Sequence, residues 1–328
     1  MPYVSVIIPA FNAADFIIDA YRSIEDQTTS DWEAIFVNDG SQDNTLDVVR
    51  TLAAADKRVK VVDLPSNSGP ARARNAAVAI AEGDWIAVLD ADDKYSPDRL
   101  EALTRAGERS AADVVMDNQF VVDPVSRRAV ALAFEPPKEE VTTLEFVDYL
   151  RNTQSNTFFD FGYLKPVIRR RWMAANHIQY QDKLRLGEDL MLLFECYACR
   201  AKVVLVTKPY YHYYLQYSQV SRKKSSTTKT DANYAPMVAA TEAFLEKHGS
   251  KQSQLERRLI ASTCEALREV MLVTVMKARL RQFDVIGLVG CLCHPIRLFR
   301  GVYFEKRRSF LFWRQARTIG GRTGVARY

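Results

Sequence analysis

The chain has 328 residues, 48% hydrophobic and 11% aromatic, which excludes a disordered or low-complexity protein and gives enough length for one large domain plus an appendage, or two domains. Net charge is +5 and unevenly held: from Lys277 onward there are 12 Lys and Arg against two acids, whereas the preceding residues carry 33 basic and 38 acidic side chains. A basic tail on a mildly acidic body points to an anionic partner, membrane lipid or nucleic acid.

Met1 leads almost directly into a strand-like run, with no basic n-region or small-residue cleavage site, so no secretory leader is expected. Residues 4–9 (Val-Ser-Val-Ile-Ile-Pro) read as a buried strand stopped by Pro9, followed by a turn at Phe11 and Asn12. Residues 16–26 have helical spacing. Residues 32–37 form a second buried strand ending in a polar loop, Asn38-Asp39-Gly40-Ser41, with an Asp-Gly turn. A helix is expected over 45–55, a strand over 59–64, then a loop through Asn67 and Gly69, and an alanine-rich helix over 71–81 carrying Arg72 and Arg74. The run Trp85-Ile86-Ala87-Val88-Leu89 then ends abruptly in Asp90, Asp92 and Asp93. Unpaired carboxylates are too costly to bury within a strand, so these acids belong at a strand end, on the rim of a sheet. Three crowded acids fit either a solvated acidic turn with a helix cap or a site for a hard divalent cation that also holds phosphates.

Strands alternating with helices at this spacing predict a doubly wound parallel sheet. Its strand ends share one edge, so the loops at Asn12, Asp39, Asn67–Gly69 and Asp90–Asp93 converge, which favours a site over an isolated turn. No Gly-x-Gly-x-x-Gly or Walker A pattern occurs, disfavouring a dinucleotide dehydrogenase or a P-loop NTPase.

Further along, a strand is expected over 113–122, a hairpin or loop crossing over 127–140 broken by Pro136-Pro137, and a short helix over 143–152. Residues 167–172 read as helical, 176–180 as a turn and short strand, and 190–201 as a helix apolar nearly all round, preceded by Gly187-Glu188-Asp189. A strand over 203–206 leads into Tyr210-Tyr211-His212-Tyr213-Tyr214, and 218–230, rich in Ser, Thr and Lys, is expected to be mobile. Helices over 233–247 and 254–281 follow. The run 285–293 is too short to span a bilayer. Beyond it, aromatic and aliphatic residues interleave with Arg and Lys, the composition of an interfacial amphipathic segment. The five cysteines, odd in number and scattered, make no disulfide framework, so a reducing compartment is expected. Cys196 and Cys199 read as core residues, and Cys291, Cys293 and His294 as an unlikely metal site.

Several of these segments, in order and spacing, resemble the family 2 glycosyltransferases. Residues 4–12 resemble their first strand and loop, and Val37-Asn38-Asp39-Gly40-Ser41 their second-strand motif. Asn67 to Asn75 is similar to their Asn-x-Gly…Ala-Arg-Asn segment, Leu89 to Asp93 to their acidic motif, and Gly187-Glu188-Asp189-Leu190 to their later Glu-Asp motif. The resemblance covers about residues 4–222 and leaves the last hundred uncovered. It implies a GT-A fold, a mixed, mainly parallel α/β sheet, as a catalytic domain over 1–222, with a helical, basic C-terminal region over 223–328. It further implies a nucleotide-sugar donor, UDP-linked most often, a divalent metal (Mn²⁺ or Mg²⁺), and inversion at the anomeric carbon.

On that basis Pro9, Phe11 and Asn12 line the base and ribose side, Asp39 accepts from the uracil ring N–H, and Gly69 and Arg74 lie by the nucleotide. Asp90 contacts ribose, with Asp92 and then Asp93 on the metal. Asp189 is the expected base and Glu188 the second choice, at a helix N-terminus that stabilises anions. The basic residue that often follows the tyrosines is Leu215 here; Arg222, Lys223 or His212 is the expected replacement toward the diphosphate. The acceptor is expected to be a glycan hydroxyl, lipid-linked, with the tail holding the protein peripherally on the inner, cytoplasmic face of a membrane. Nucleic acid is not an expected partner, since no recognised module is present. Alternatives are a sugar nucleotidyltransferase, which needs a Gly-rich basic loop where Ala10 to Ala14 stand, and a non-catalytic nucleotide-sugar-binding scaffold, which needs no base. A haloacid-dehalogenase-type phosphatase typically has Thr or Val two residues beyond its second Asp, whereas Asp93-Lys94 follows Asp92.

Overall fold

The computed structural model describes residues 3–153, 161–215, 233–281, 298–300 and 302–303. Arg222, Lys223, the 218–230 stretch and most of the tail beyond 285 lie outside the described residues. The chain divides into two compact units: Met1–Asp123, Arg127–Glu145 and Tyr163–Leu215 form one, and Pro124–Ser126, Phe146–Gly162 and Gln216–Tyr328 the other.

The first unit is an α/β sheet flanked by helices. Its strands are β1 (Val4–Ala10), β2 (Trp32–Asp39), β3 (Val59–Leu64), β4 (Trp85–Val88), β5 (Lys94–Tyr95), β6 (Val114–Val122), β7 (Ala129–Leu132), β8 (Val141–Thr143), β9 (Val167–Arg169) and β10 (Val203–Tyr214). They pair in the order β3-β2-β1-β4-β9-β6-β10-β5, with β7 on β6 and β8 on β10. The pairs β3–β2, β2–β1, β1–β4 and β6–β10 are parallel, while β9 runs antiparallel between β4 and β6. The carboxyl ends of the long strands therefore share one edge.

The β-branched runs of β1 and β2 are buried on both faces, as a sheet covered by helices on each side requires. One core cluster joins Ile8, Phe36, Trp85 and Tyr211 to helices α1 (Ile17–Glu25) and α4 (Arg99–Arg109). The other joins Ile7, Ile35 and Val88 to Ala73 and Ala77 of α3 (Pro70–Ile80). Alanines along α3 let that helix lie close to the strands. α2 (Thr45–Ala55), α6 (Arg170–Ala175) and α7 (Glu188–Ala198) complete the unit.

Several expectations shift. β1 continues through Pro9, which pairs with Val37, so the proline does not stop the strand. Residues 167–169 are strand, not helix, because β9 fills the gap between β4 and β6. Residues 176–180 hold a turn but no strand. The strand expected over 203–206 runs on to Tyr214 across bulges near Pro209. α4 and β5 had no counterpart in the sequence reading, and neither Cys196 nor Cys199 is in a disulfide.

In the second unit, α5 (Phe146–Asn152) and α8 (Ala235–His248) pack on the long α9 (Gln254–Arg281). Phe146 and Phe244 meet edge to face at 6.4 Å. Among the described residues no helix is long and apolar enough to cross a membrane.

Candidate active site

The loops at the carboxyl edge are stitched to one another. Asn12, with φ of 50°, accepts the Gln42 N–H at 2.8 Å through Oδ1, and its own N–H donates to Ser41 Oγ at 3.0 Å. Asp39, 3% exposed, accepts the N–H groups of Ser68 (2.6 Å) and Gly69 (2.8 Å), one on each oxygen. Burial pushes its carboxyl up, against those two donors. Gly40 has φ of +66°, and a Cβ there would come within 2.6 Å of Asn67 N, so only glycine lets the second and third loops touch. Pro9 and Phe11 are half-buried beside these loops.

Behind them lies a buried ionic cluster. Arg74 on α3 is 2% exposed. It donates to Asp90 Oδ1 at 2.7 Å, pairs tightly with Glu188, and stands 3.5 Å from Asp189 Oδ1. A guanidinium fork suits a phosphate or a carboxylate, and here carboxylates occupy it. Lys165 sits opposite, its Nζ 2.8 Å from Asp90 Oδ2 and 2.7 Å from Asp189 Oδ2. Burial works against the Asp90 anion, but Lys165 and then Arg74 outweigh it and hold the carboxyl below the usual range. Glu188 and Asp189 open α7 behind Gly187, whose φ of 75° makes the turn, and the helix dipole favours anions in that first turn. Three buried polar atoms here have no hydrogen-bond partner among the described residues: Asp189 Oδ1, Arg74 Nε and the Tyr180 hydroxyl. Tyr180 lies under the Arg74 guanidinium, 5.4 Å from its ring centre. Orphaned polar atoms gathered in one spot cost stability, and structural packing alone does not account for them.

The acids of the 90–93 loop part company. Burial, followed by the Asp90 charge, raises the Asp92 carboxyl to about 6. A half-buried carboxylate raised by a neighbouring anion fits a cation ligand. Asp93, expected beside it on the metal, has both oxygens engaged: Tyr211 donates its hydroxyl at 2.7 Å and Tyr214 its N–H at 2.7 Å. The Tyr211 oxygen also accepts the Asp90 N–H at 3.2 Å. Asp93 thus ties the acidic loop to β10. Among the described residues no three His, Cys, Asp or Glu side chains gather as a metal cage. A metal with one protein carboxylate, and substrate phosphates for the rest, is the arrangement this donor set fits. His212, the expected replacement within the described residues, is tied to Ser96 Oγ at 3.0 Å and packs on Phe120, and burial, followed by the Lys94 charge, lowers its pKa.

Under the site lies a second buried pair. Arg99 Nη2 is 2.8 Å from Asp117 Oδ1, both side chains fully buried, and also donates to the Lys165 carbonyl at 2.9 Å. Its guanidinium stacks over Tyr95 and Tyr211. The sequence patterns mark Tyr211 only as one of a run of tyrosines and give no sign of Lys165, Arg99 or Asp117 as site residues.

A family model described as glycosyl transferase family 2 matches residues 5–170, half of the chain. The chain belongs to glycosyl transferase family 2. Its similarity extends to the succinoglycan biosynthesis protein ExoO of Rhizobium meliloti (strain 1021), 31% identical over 306 residues, 91% of this chain and 83% of that protein. The putative teichuronic acid biosynthesis glycosyltransferase TuaG of Bacillus subtilis (strain 168) is 46% identical over 112 residues, 34% of this chain and 44% of its own length. Among solved structures, S. aureus TarS 1-349 in complex with UDP-GlcNAc is similar with a TM-score of 0.61 at 18% identity, over 100% of this chain and 93% of that one. That likeness carries the fold, a GT-A-type α/β sheet. The chain is a glycosyltransferase of that family, and the five motifs fall on the loops at one sheet edge.

Proposed function

We propose that this glycosyltransferase moves a hexose from a UDP-sugar to a hydroxyl of a lipid-linked glycan in cell-surface polysaccharide synthesis, by single displacement with inversion. The observation that carries this is the Asp189 carboxylate: buried, hydrogen-bonded to Lys165 on one oxygen and with no hydrogen bond on the other among the described residues, the Arg74 guanidinium standing 3.5 Å from it, in a cluster that also holds Asp90. A proton acceptor poised beside a donor-binding loop serves displacement by a hydroxyl, whereas a binding scaffold has no use for it. The names of ExoO and TuaG, each a polysaccharide biosynthesis protein, support the acceptor class, and the UDP-GlcNAc held by TarS supports the donor.

In this reading Pro9, Phe11, Asn12 and Asp39 bind the base, and Gly69 lets the chain approach the nucleotide. Arg74 orients Asp90 toward the ribose and steadies Glu188. Asp189 takes the proton of the attacking hydroxyl. Asp92, supported by Asp93, would hold Mn²⁺ or Mg²⁺, which when bound neutralises charge on the leaving diphosphate. Arg222 remains a proposed diphosphate contact. Residues 1–222 are the catalytic domain and 223–328 the helical region whose basic aromatic tail docks on anionic lipid.

Thermal unfolding with UDP-glucose, UDP-galactose and UDP-GlcNAc, and their GDP and dTDP counterparts, each with and without Mn²⁺, tests the donor. A bound donor raises the midpoint by mass action, most with Mn²⁺ present. No shift with any of them would refute the proposal.

A further inference from the structure

We propose that Lys165 is a positioning residue for proton transfer: by gripping Oδ2 of Asp189 it leaves Oδ1 as the atom that takes the proton from the attacking hydroxyl. This rests on Asp189 being the base and says which of its atoms works and what selects it.

The two oxygens of Asp189 are unequal. Oδ2 accepts from Lys165 Nζ at 2.7 Å, whereas Oδ1 has no hydrogen bond among the described residues, the Arg74 guanidinium being 3.5 Å away. A charge-assisted N–H···O bond sits nearer 2.7–2.9 Å, so Arg74 attracts Oδ1 without occupying its lone pairs. Asp189 is 4% exposed, and leaving a buried carboxylate oxygen bare is costly unless something else uses it. Oδ1 is itself closed to solvent; the hydroxyl of an incoming acceptor, once side chains around the cluster give way to admit it, is such a group.

Lys165 is itself held firmly. Its side chain is buried, and its carbonyl accepts from Arg99, which is locked by Asp117. Its Nζ also bonds Asp90 Oδ2 at 2.8 Å. That second bond has a consequence during turnover. The acceptor O–H bond breaks and Oδ1–H forms, while the acceptor oxygen bonds the anomeric carbon and the electron pair of the broken C–O bond leaves with the nucleoside diphosphate. Asp189 becomes neutral at that moment. A buried ammonium paired to Asp189 alone would be stranded, but Asp90 keeps Lys165 paired through the cycle. Bridging two carboxylates, one that changes charge and one that does not, is what the step needs.

The test uses the full-length chain with Lys165→Met, Lys165→Gln and Asp189→Asn, following UDP release from UDP-glucose, UDP-galactose and UDP-GlcNAc in the presence of acceptor-bearing membranes, with UDP affinity measured on each. Lys165→Met is expected to lower kcat on the order of 100-fold, as sub-ångström misplacement of a reacting group does, with a much smaller loss in KM for the donor and in UDP affinity, because Arg74 still holds Asp90. Lys165→Gln, which still donates one hydrogen bond, is expected to keep more of kcat. Lys165→Met combined with Asp189→Asn is expected to be no slower than Asp189→Asn alone, because both act on one proton transfer. A crystal structure of Lys165→Met should show the Asp189 carboxylate turned.

An unturned carboxylate, or kcat near wild type while Asp189→Asn is inactive, overturns the role of Lys165 and leaves the base intact. Full activity of Asp189→Asn overturns the base and Lys165 with it. Should Lys165→Met fail to fold, Lys165→Gln carries the test, and wild-type kcat in that variant overturns the inference.

Discussion

Replacing Arg99 by methionine should unfold this protein far more easily than any surface change, for a reason that can be worked from three contacts. Arg99 and Asp117 are both 0% exposed and joined by two hydrogen bonds, at 2.8 and 3.2 Å. Methionine fills the stem of the arginine but strands the Asp117 carboxylate in the core. Removing one partner of a buried pair costs about 3–5 kcal/mol. Losing the bond to the Lys165 carbonyl adds about 1 kcal/mol. For a unit of this size, each kcal/mol shifts the midpoint by about 2–4 °C, so a fall of roughly 8–24 °C is expected. Calorimetry or circular dichroism on the full chain reads it. The control is Arg99→Met with Asp117→Leu, which removes both charges and should recover most of the loss, because a buried pair is worth little against a well-packed apolar replacement. A single-variant loss below about 1 kcal/mol, or a double variant no better than the single, would refute the reasoning.

Other outcomes follow from the site. Asp189→Asn should cut kcat by about 10²–10⁴-fold, the usual contribution of a general base, while donor protection in thermal unfolding persists. Asp92 has a folded pKa of about 6 against an ordinary 3.8, so its contribution favours folding below the ordinary value and is lost as pH rises through 6. Asp92→Asn should therefore raise the metal-free midpoint at pH 7.5, leave it nearly unchanged at pH 4, and abolish any rise caused by Mn²⁺. Gly40→Ala should cost at least about 1 kcal/mol in urea unfolding, since the backbone has positive φ and the new methyl meets Asn67 N. Truncation from Val285 onward should shift the protein from the membrane pellet to the supernatant in a sedimentation assay; continued sedimentation with membranes would count against the tail as anchor.

What could be read from the chain, and what could not, divides along a physical line. Helix α2 and strand β3 have the bounds that periodicity gives, because their signals are local: a β-branched run for one, amphipathic spacing for the other. β9 is a strand only because β4 and β6 leave a slot between them, so Val167 and Ile168 look equally fit for a helix until those neighbours are known. The acids behave likewise. That Asp90, Asp92 and Asp93 sit at a sheet rim follows from the cost of burying charge. That they have three different jobs does not, since the difference is made by Arg74 and Lys165 for Asp90, and by Tyr211 and Tyr214, 118 and 121 residues away, for Asp93. Lys165 was invisible for the same reason: a lysine before a proline looks like surface until α7 and the β4 loop bring two carboxylates to it. Motif and periodicity locate the edge where chemistry happens. Which carboxylate oxygen lacks a hydrogen bond among the described residues depends on pairings across many residues of chain, and Oδ1 of Asp189 is such an oxygen because Lys165 takes Oδ2 while Arg74 stays 3.5 Å away.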